Sequence, residues 1–198
     1  MRTRTILATA AAVVALGAAG CGASSGGGSN ASKPADPNAP EVSPAGDIPD
    51  DQAFVAYSPR GSGFSLRVPE GWSRSASGAA VTFTDKLNAI RMETVSARAP
   101  LTRGEAARSE VPKLSRTVRG FAPLTVSTVK RAAGSAVRVT YMADAKPNPV
   151  TGKAGRDAVE RYFFFHKGKN VVLTLSGPKG ANNVEPWKIV TESLRWSR

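Results

Sequence analysis

Two side chains of the types that most often act as nucleophiles or hold metals occur once each in this chain: His166 and Cys21. A histidine-based nucleophile pair needs a serine or cysteine held against the imidazole. Cys21 instead precedes a long Gly/Ser/Pro-rich stretch, far from His166 in sequence. Metal sites assembled from His and Cys clusters lack ligands, so no metal is expected. His166 is followed by Lys167 and Lys169, positive surroundings that disfavour a bound cation. An exposed hairpin histidine is the expectation. The carboxylates Glu70, Asp85, Glu93, Asp144, Asp157 and Glu160 remain. Two of them about 5–9 Å apart would suit glycoside hydrolysis, but they are scattered, mostly at turns, among a large excess of Lys and Arg. Surface pairing is their expected fate. Gly177-Pro178-Lys179-Gly180 lacks the spacing of a phosphate-binding loop and reads as turn chemistry. No catalytic residue and no cofactor is expected.

Binding chemistry is better provided for. The chain carries 27 Lys+Arg against 15 Asp+Glu, a formal charge of +12, and residues 51–198 alone carry 24 bases against 11 acids. Such an excess favours acidic polymers or anionic head groups. The segment from Lys146 to Arg156 is long, Pro/Gly-punctuated, and holds Lys146, Lys153 and Arg156 without an acid. With Lys167 and Lys169 it forms the expected contact surface, since loops of this length often carry function. The aromatic run Tyr162-Phe163-Phe164-Phe165 alternates across a strand, two rings to each face. If helices cover both faces, all four are core. If one is bare, Trp72, Phe163 and Phe165 line an apolar pocket.

These residues need a sheet to place them. Period-two alternation predicts strands at 54–57, 64–68, 81–84, 90–95, 124–130, 137–142, 161–166 and 171–175. Gly134-Ser135 and Lys167-Gly168-Lys169-Asn170 read as hairpin turns, which makes the neighbouring strands antiparallel. Thr102 with Glu105 forms a capping box opening a helix with Ala107, Val111, Leu114 and Val118 on one face. Pro112 predicts a kink or a restart near Ser109. A second helix begins with Asn183 as N-cap, carries Val184, Trp187, Val190 and Leu194 on one stripe, and ends in Arg195 and Arg198. The fold class is α+β, an antiparallel β-sheet flanked by helices.

Upstream, Arg2 and Arg4 precede an apolar run, Ile6 to Leu16, which closes in small residues before Cys21. That order predicts a signal peptide over 1–20. The run is shorter than the roughly 20 residues that span a bilayer. Ala18-Ala19-Gly20-Cys21 resembles the lipobox of bacterial lipoproteins, in which the cysteine receives a diacylglycerol and becomes the new N-terminus. Ala18 stands where Leu is usual in that family. The other reading is ordinary secretory cleavage with a free thiol, but a lone cysteine directly after such a run favours the lipid anchor. Residues 21–51 read as a flexible tether and 52–198 as one domain.

Gly63-Phe64-Ser65-Leu66-Arg67-Val68-Pro69-Glu70-Gly71-Trp72 resembles the opening of Mog1/PsbP-type domains, as does a closing helix with Trp187 and Ser193-Leu194-Arg195-Trp196. The order of elements is similar to that of the actinobacterial LpqN-like lipoproteins of that superfamily. The resemblance implies an α/β/α sandwich used as a non-catalytic interaction or assembly module. Together these features predict a lipoprotein held by Cys21 at the outer face of the cell membrane, bound to an envelope protein or anionic polymer, with nucleic acid excluded by export. The alternative is a carrier of a lipid or other apolar ligand between sheet and helix.

Overall fold

The computed structural model describes residues 45–147, 152 and 154–197. Cys21 and Lys153 lie outside the described residues. Among the described residues, ten strands and two helical segments are arranged around two cores. A three-stranded sheet has the order β1 (Phe54–Tyr57), β2 (Phe64–Pro69), β10 (Arg195–Trp196). A seven-stranded sheet is built from β3 (Ser73–Ser77), β4 (Ala80–Asp85), β5 (Asn88–Ser96), β6 (Ala122–Arg131), β7 (Gly134–Asp144), β8 (Arg156–His166) and β9 (Lys169–Pro178), in the order β3-β4-β5-β9-β8-β7-β6. Every pairing is antiparallel.

Side-chain alternation on the central strands feeds both cores. Tyr162, Phe164, Val171, Leu173 and Leu175 join Ile90 and Met92 on one face, beneath Phe64, Leu66 and Val68 of β2 and helix α3 (Val184–Glu192). Val159, Phe163 and Val172 join Val137, Val139 and Tyr141 on the other. That second core is closed by Ala106 and Leu114 of the segment made from α1 (Arg103–Glu105), a π-turn (Ala106–Glu110) and α2 (Val111–Thr117). The α+β class and the sheet between helices are as the sequence predicts.

Local departures have physical causes. The capping box is present: Thr102 Oγ1 accepts from Glu105 N–H at 3.2 Å, and Glu105 Oε2 accepts from Thr102 N–H at 2.9 Å. The strain that Pro112 imposes is absorbed without a break. The preceding turn widens so that Val111 N–H donates to Ala106 O, five residues back. The widened turn moves the buried position to Ala106 and leaves the expected Ala107 exposed. Val184, expected on the apolar stripe of α3, is also exposed. That helix stops at Glu192, and Arg195 lies beyond it in β10, donating to the Glu192 and Leu194 carbonyls. The β6–β7 turn falls on Ala132-Ala133, ahead of the predicted Gly134-Ser135. Strand β3, wholly exposed, has no apolar alternation to announce it.

The packed body also begins before the expected residue 52. Ile48 is buried in the main core, and its N–H donates to Asn183 Oδ1 at 2.8 Å. Asn183 Nδ2 donates to Gly46 O at 3.0 Å and to Asn88 Oδ1 at 2.9 Å, while Asn88 Nδ2 donates to Gly46 O at 2.8 Å. The side chain expected to cap α3 is thus spent on clamping the incoming chain, and it makes no cap bond. Gly177 passes beneath the clamp, where a Cβ would stand 2.3 Å from Asn88 Oδ1. Asn183→Ala should cost about 1–3 kcal/mol, because it strands the Ile48 N–H and loosens Gly46. Urea unfolding of the parent and variant measures this, and equal midpoints would contradict the clamp.

Candidate functional site

The cations expected to form one contact surface are divided by the length of β8. Arg156 opens that strand and Lys167 and Lys169 follow its end, so its 11 residues hold them about 35 Å apart. Arg156 is moreover engaged, donating to Asp144 Oδ1 at 2.9 Å across the mouth of the β7–β8 hairpin. Lys146 is exposed on that hairpin's loop. The expected apolar pocket is divided as well: Trp72 packs into the core beneath α3, whereas Phe163 packs into the core beneath α1 and α2. Phe165 is half-buried. Alternation along β8 accounts for the split, since Phe163 and Trp72 belong to opposite faces.

What does converge lies at the other end of the sheet. A cleft of about 460 Å³ opens between the β1–β2 loop and the β3–β4 hairpin. Its floor is Phe64 and Met92, both buried, with Val81 beside them. Tyr57 forms one wall, held edge-on against Phe83 at a centroid distance of 4.9 Å. Arg74 of β3 spreads over the Tyr57 ring, 5.8 Å from its centre, a cation–π contact that fixes the guanidinium at the rim. Arg60 and Lys169 complete the rim. The loop wall is itself fixed: Ser62 N–H donates to Pro59 O at 3.2 Å, Ser62 Oγ donates to the same oxygen at 2.7 Å, and Ser197 N–H donates to Gly63 O at 2.9 Å.

A second recess of about 160 Å³ adjoins this cleft through Ser62 and Lys169 and is lined by His166, Lys167, Val171 and Trp196. Here His166 departs from the expected exposed residue. Its ring is half-buried and stacked on Trp196, with centroids 4.6 Å apart and planes 12° apart. Trp196 Nε1 donates to Ala133 O at 2.9 Å, which locks the indole in place. The partnership arises from β10 pairing with β2, a pairing too short to be read from sequence.

No acid answers these cations. Among the described residues Arg60, Arg74, Lys167 and Lys169 form no ion pair. Glu93 borders the cleft, but alternation on β5 directs its carboxylate to the opposite face from Met92, onto Arg91 at 2.7 Å and Arg161 at 3.0 Å. The Arg91 hydrogen bond, more than burial opposes it, holds the Glu93 carboxyl below its ordinary range. The other acids singled out from sequence are similarly dispersed: Glu160 accepts from Tyr162 and pairs with Arg138, and Asp144 pairs with Arg156. No two of them share a cleft with a free histidine, and no group of acids, histidines and cysteines suited to a metal occurs among the described residues. Of the expected turn Gly177–Gly180, Gly177 and Pro178 end β9, paired with Ala158 and Asp157, and Lys179-Gly180 turn, Lys179 N–H donating to Arg156 O, while α3 starts only after Asn183.

No family model matches the chain, and no curated protein does. Solved structures match the fold. The cyanobacterial PsbP (CyanoP) of Synechocystis sp. PCC 6803 is 12% identical at a TM-score of 0.56, covering 78% of this chain and 98% of that one. The Ran-binding protein Mog1p of Saccharomyces cerevisiae is 11% identical at a TM-score of 0.51, covering 73% and 96%. The chain has the Mog1/PsbP fold. LpqN of Mycobacterium tuberculosis, involved in cell envelope biogenesis, matches at 12% identity and a TM-score of 0.43, covering 75% and 87%. The chain also spans 48% of a longer Bacteroides thetaiotaomicron protein, at 14% identity, 72% coverage of this chain and a TM-score of 0.48. Within the Mog1/PsbP framework the cleft is made from peripheral pieces, a loop, an edge hairpin and a turn. No helix of the described residues is long and apolar enough to cross a membrane.

One acid outside the cleft reports on burial. Asp157, half-buried on β8, has its carboxyl pushed above the ordinary range by burial alone. A raised folded-state value means stability that is full below the unfolded value and lost as pH rises through the folded one. Asp157→Asn should therefore melt higher than the parent at pH 7, with the difference closing by pH 3. Calorimetric scans at the two pH values test this, and an unchanged melting temperature at pH 7 would refute it.

Proposed function

We propose that this protein is a membrane-tethered, non-catalytic binding module of the bacterial envelope, anchored through lipid on Cys21 and working through the basic cleft. The observation that carries the binding part is the cluster of Arg60, Arg74, Lys167 and Lys169 around adjoining aromatic-walled recesses with no acid turned toward them. Cations left unpaired in one place attract and orient an anionic partner over distances set by ionic strength. The binding role printed for the Mog1p structure supports a module that holds a partner. The lipobox-like Ala18-Ala19-Gly20-Cys21 and the LpqN-like order of elements support the envelope placement. The working surface is the cleft end of the sheet, with the Lys146 loop at the far end left out of it. A carrier built around Trp72, Phe163 and Phe165 finds less support, because Trp72 and Phe163 pack into different cores.

Two measurements test this. The unlipidated Cys21→Ser protein should bind an anionic polymer such as polyglutamate at low ionic strength and release it as salt rises. The double change Arg60→Glu and Arg74→Glu should weaken that binding by about tenfold or more, whereas Lys146→Glu should leave it unchanged. Equal loss in the Lys146 variant would move the surface elsewhere. Separately, radiolabelled palmitate should enter the parent protein in a bacterial host and be absent from Cys21→Ser. A parent that takes up no label would overturn the anchor.

A further inference from the structure

The cleft is more than a charged surface, and the difference points to its ligand. A polyanion docking by charge alone needs no recess, yet the three rim cations Arg60, Arg74 and Lys169 stand over a floor of Phe64, Val81 and Met92. The volume of about 460 Å³ lies in the range of small-molecule sites, about 300–1,000 Å³. The floor offers a single hydrogen-bonding side chain, Thr94, beside the apolar ones, which disfavours a free phosphate or a sugar, most of whose polar groups would be stranded there. Glu93, the acid bordering the cleft, is taken up by Arg91 and Arg161, which disfavours a zwitterionic head. Resting on the binding reading above, we infer that the cleft takes a single anionic amphiphile: a phosphate monoester at the rim, with its apolar chain on the floor.

Arginine forks suit phosphate oxygens, and three rim cations match a doubly charged monoester better than a singly charged carboxylate. Tyr57 divides the two chemistries. Its ring faces the guanidinium of Arg74 on one side and packs against Phe83 on the other. The chain continues past Ser62 and Lys169 into the smaller recess, where Val171 and the stacked rings of His166 and Trp196 offer apolar contact and Lys167 stands beside them. Ala76, exposed on the edge strand β3, forms part of the cleft wall. Its position lets a large side chain enter the cleft without disturbing the core.

Calorimetric titration of the Cys21→Ser protein should be made with monododecyl phosphate, dodecanoate, dodecylphosphocholine and inorganic phosphate, each below its micelle concentration. Monododecyl phosphate should bind one to one and at least about tenfold more tightly than the other three. Ala76→Trp should abolish that binding by filling the cleft, yet retain polyglutamate binding, because the cations remain. Arg74→Glu should weaken both and gives an independent variant on the same exposed strand. Equal affinity for dodecylphosphocholine or for inorganic phosphate overturns the inference. So does a parent that binds polyglutamate but no dodecyl phosphate, an outcome that leaves the broader reading standing. Failure to bind either ligand removes both.

Discussion

The two-sided burial of β8 and β9 is the constraint from which the rest of the molecule follows. Tyr162, Phe164, Val171, Leu173 and Leu175 fill one core while Val159, Phe163 and Val172 fill the other. Each such side chain contributes about 1.5–3 kcal/mol when fully buried. A slip of one residue in the pairing Phe163↔Val172 would send every one of them to the wrong face. The Lys167-Gly168 turn, with φ of 44° and 78°, supports that register, since a two-residue connection of this hand matches the strand twist. Long strands held in a fixed register also fix distances. The ends of β8 are rigid posts, and whatever chemistry occupies one end is kept from the other.

The sheet is wider than the helices that cover it, and its polar side chains show where the cover ends. Beyond α1 and α2 the strands present Arg91, Glu93, Arg161 and Thr174, tied together by ion pairs and by the Arg161–Thr174 hydrogen bond at 2.8 Å. Beyond α3 they present Arg138 and Glu160 in the same manner. Acids are the scarce partner in a chain with this charge balance, and the open sheet faces use several of them. What remains is a surplus of cations, and four of them collect around the cleft and the recess beside it. A basic net charge becomes a site only because the acids have been taken up elsewhere.

Strongly patterned elements were legible in the sequence. The alternation in β2, β5, β8 and β9 marks half- or fully buried strands, and Thr102 with Glu105 marks a helix start by a hydrogen-bonding pattern confined to four residues. Legibility fails where a long-range interaction overrides the local one. Asn183 has the chemistry of a cap but finds better partners in Ile48, Gly46 and Asn88. Ser73–Ser77 forms a strand because β4 offers a free edge and Gly78 at φ 57° turns the chain back onto it. Ala106 replaces Ala107 in the core because a five-residue turn shifts the helical phase. The cleft is the extreme case, drawing Arg60, Arg74 and Lys169 from three separate stretches. Its opposite error, joining Arg156 to Lys167, was avoidable, because the length of the aromatic-rich strand already sets those residues far apart.

A fold shared at such low identity with proteins as different as a cyanobacterial PsbP and a Ran-binding protein cannot carry specificity in its cores, which must do the same packing work in each. Specificity has to sit where change is tolerated, and here the cleft is assembled from an exposed edge hairpin, a glycine-punctuated loop and a two-residue turn. None of these supplies more than a few residues to either core, so their polar side chains can vary at little cost to stability. They are nevertheless not loose. Ser197 N–H donates to Gly63 O and braces the loop wall, while Trp196 Nε1 donates to Ala133 O and holds the indole of the adjoining recess. Rigid walls reduce the entropy lost on capture of a ligand, and that bracing would make the proposed site a preformed one.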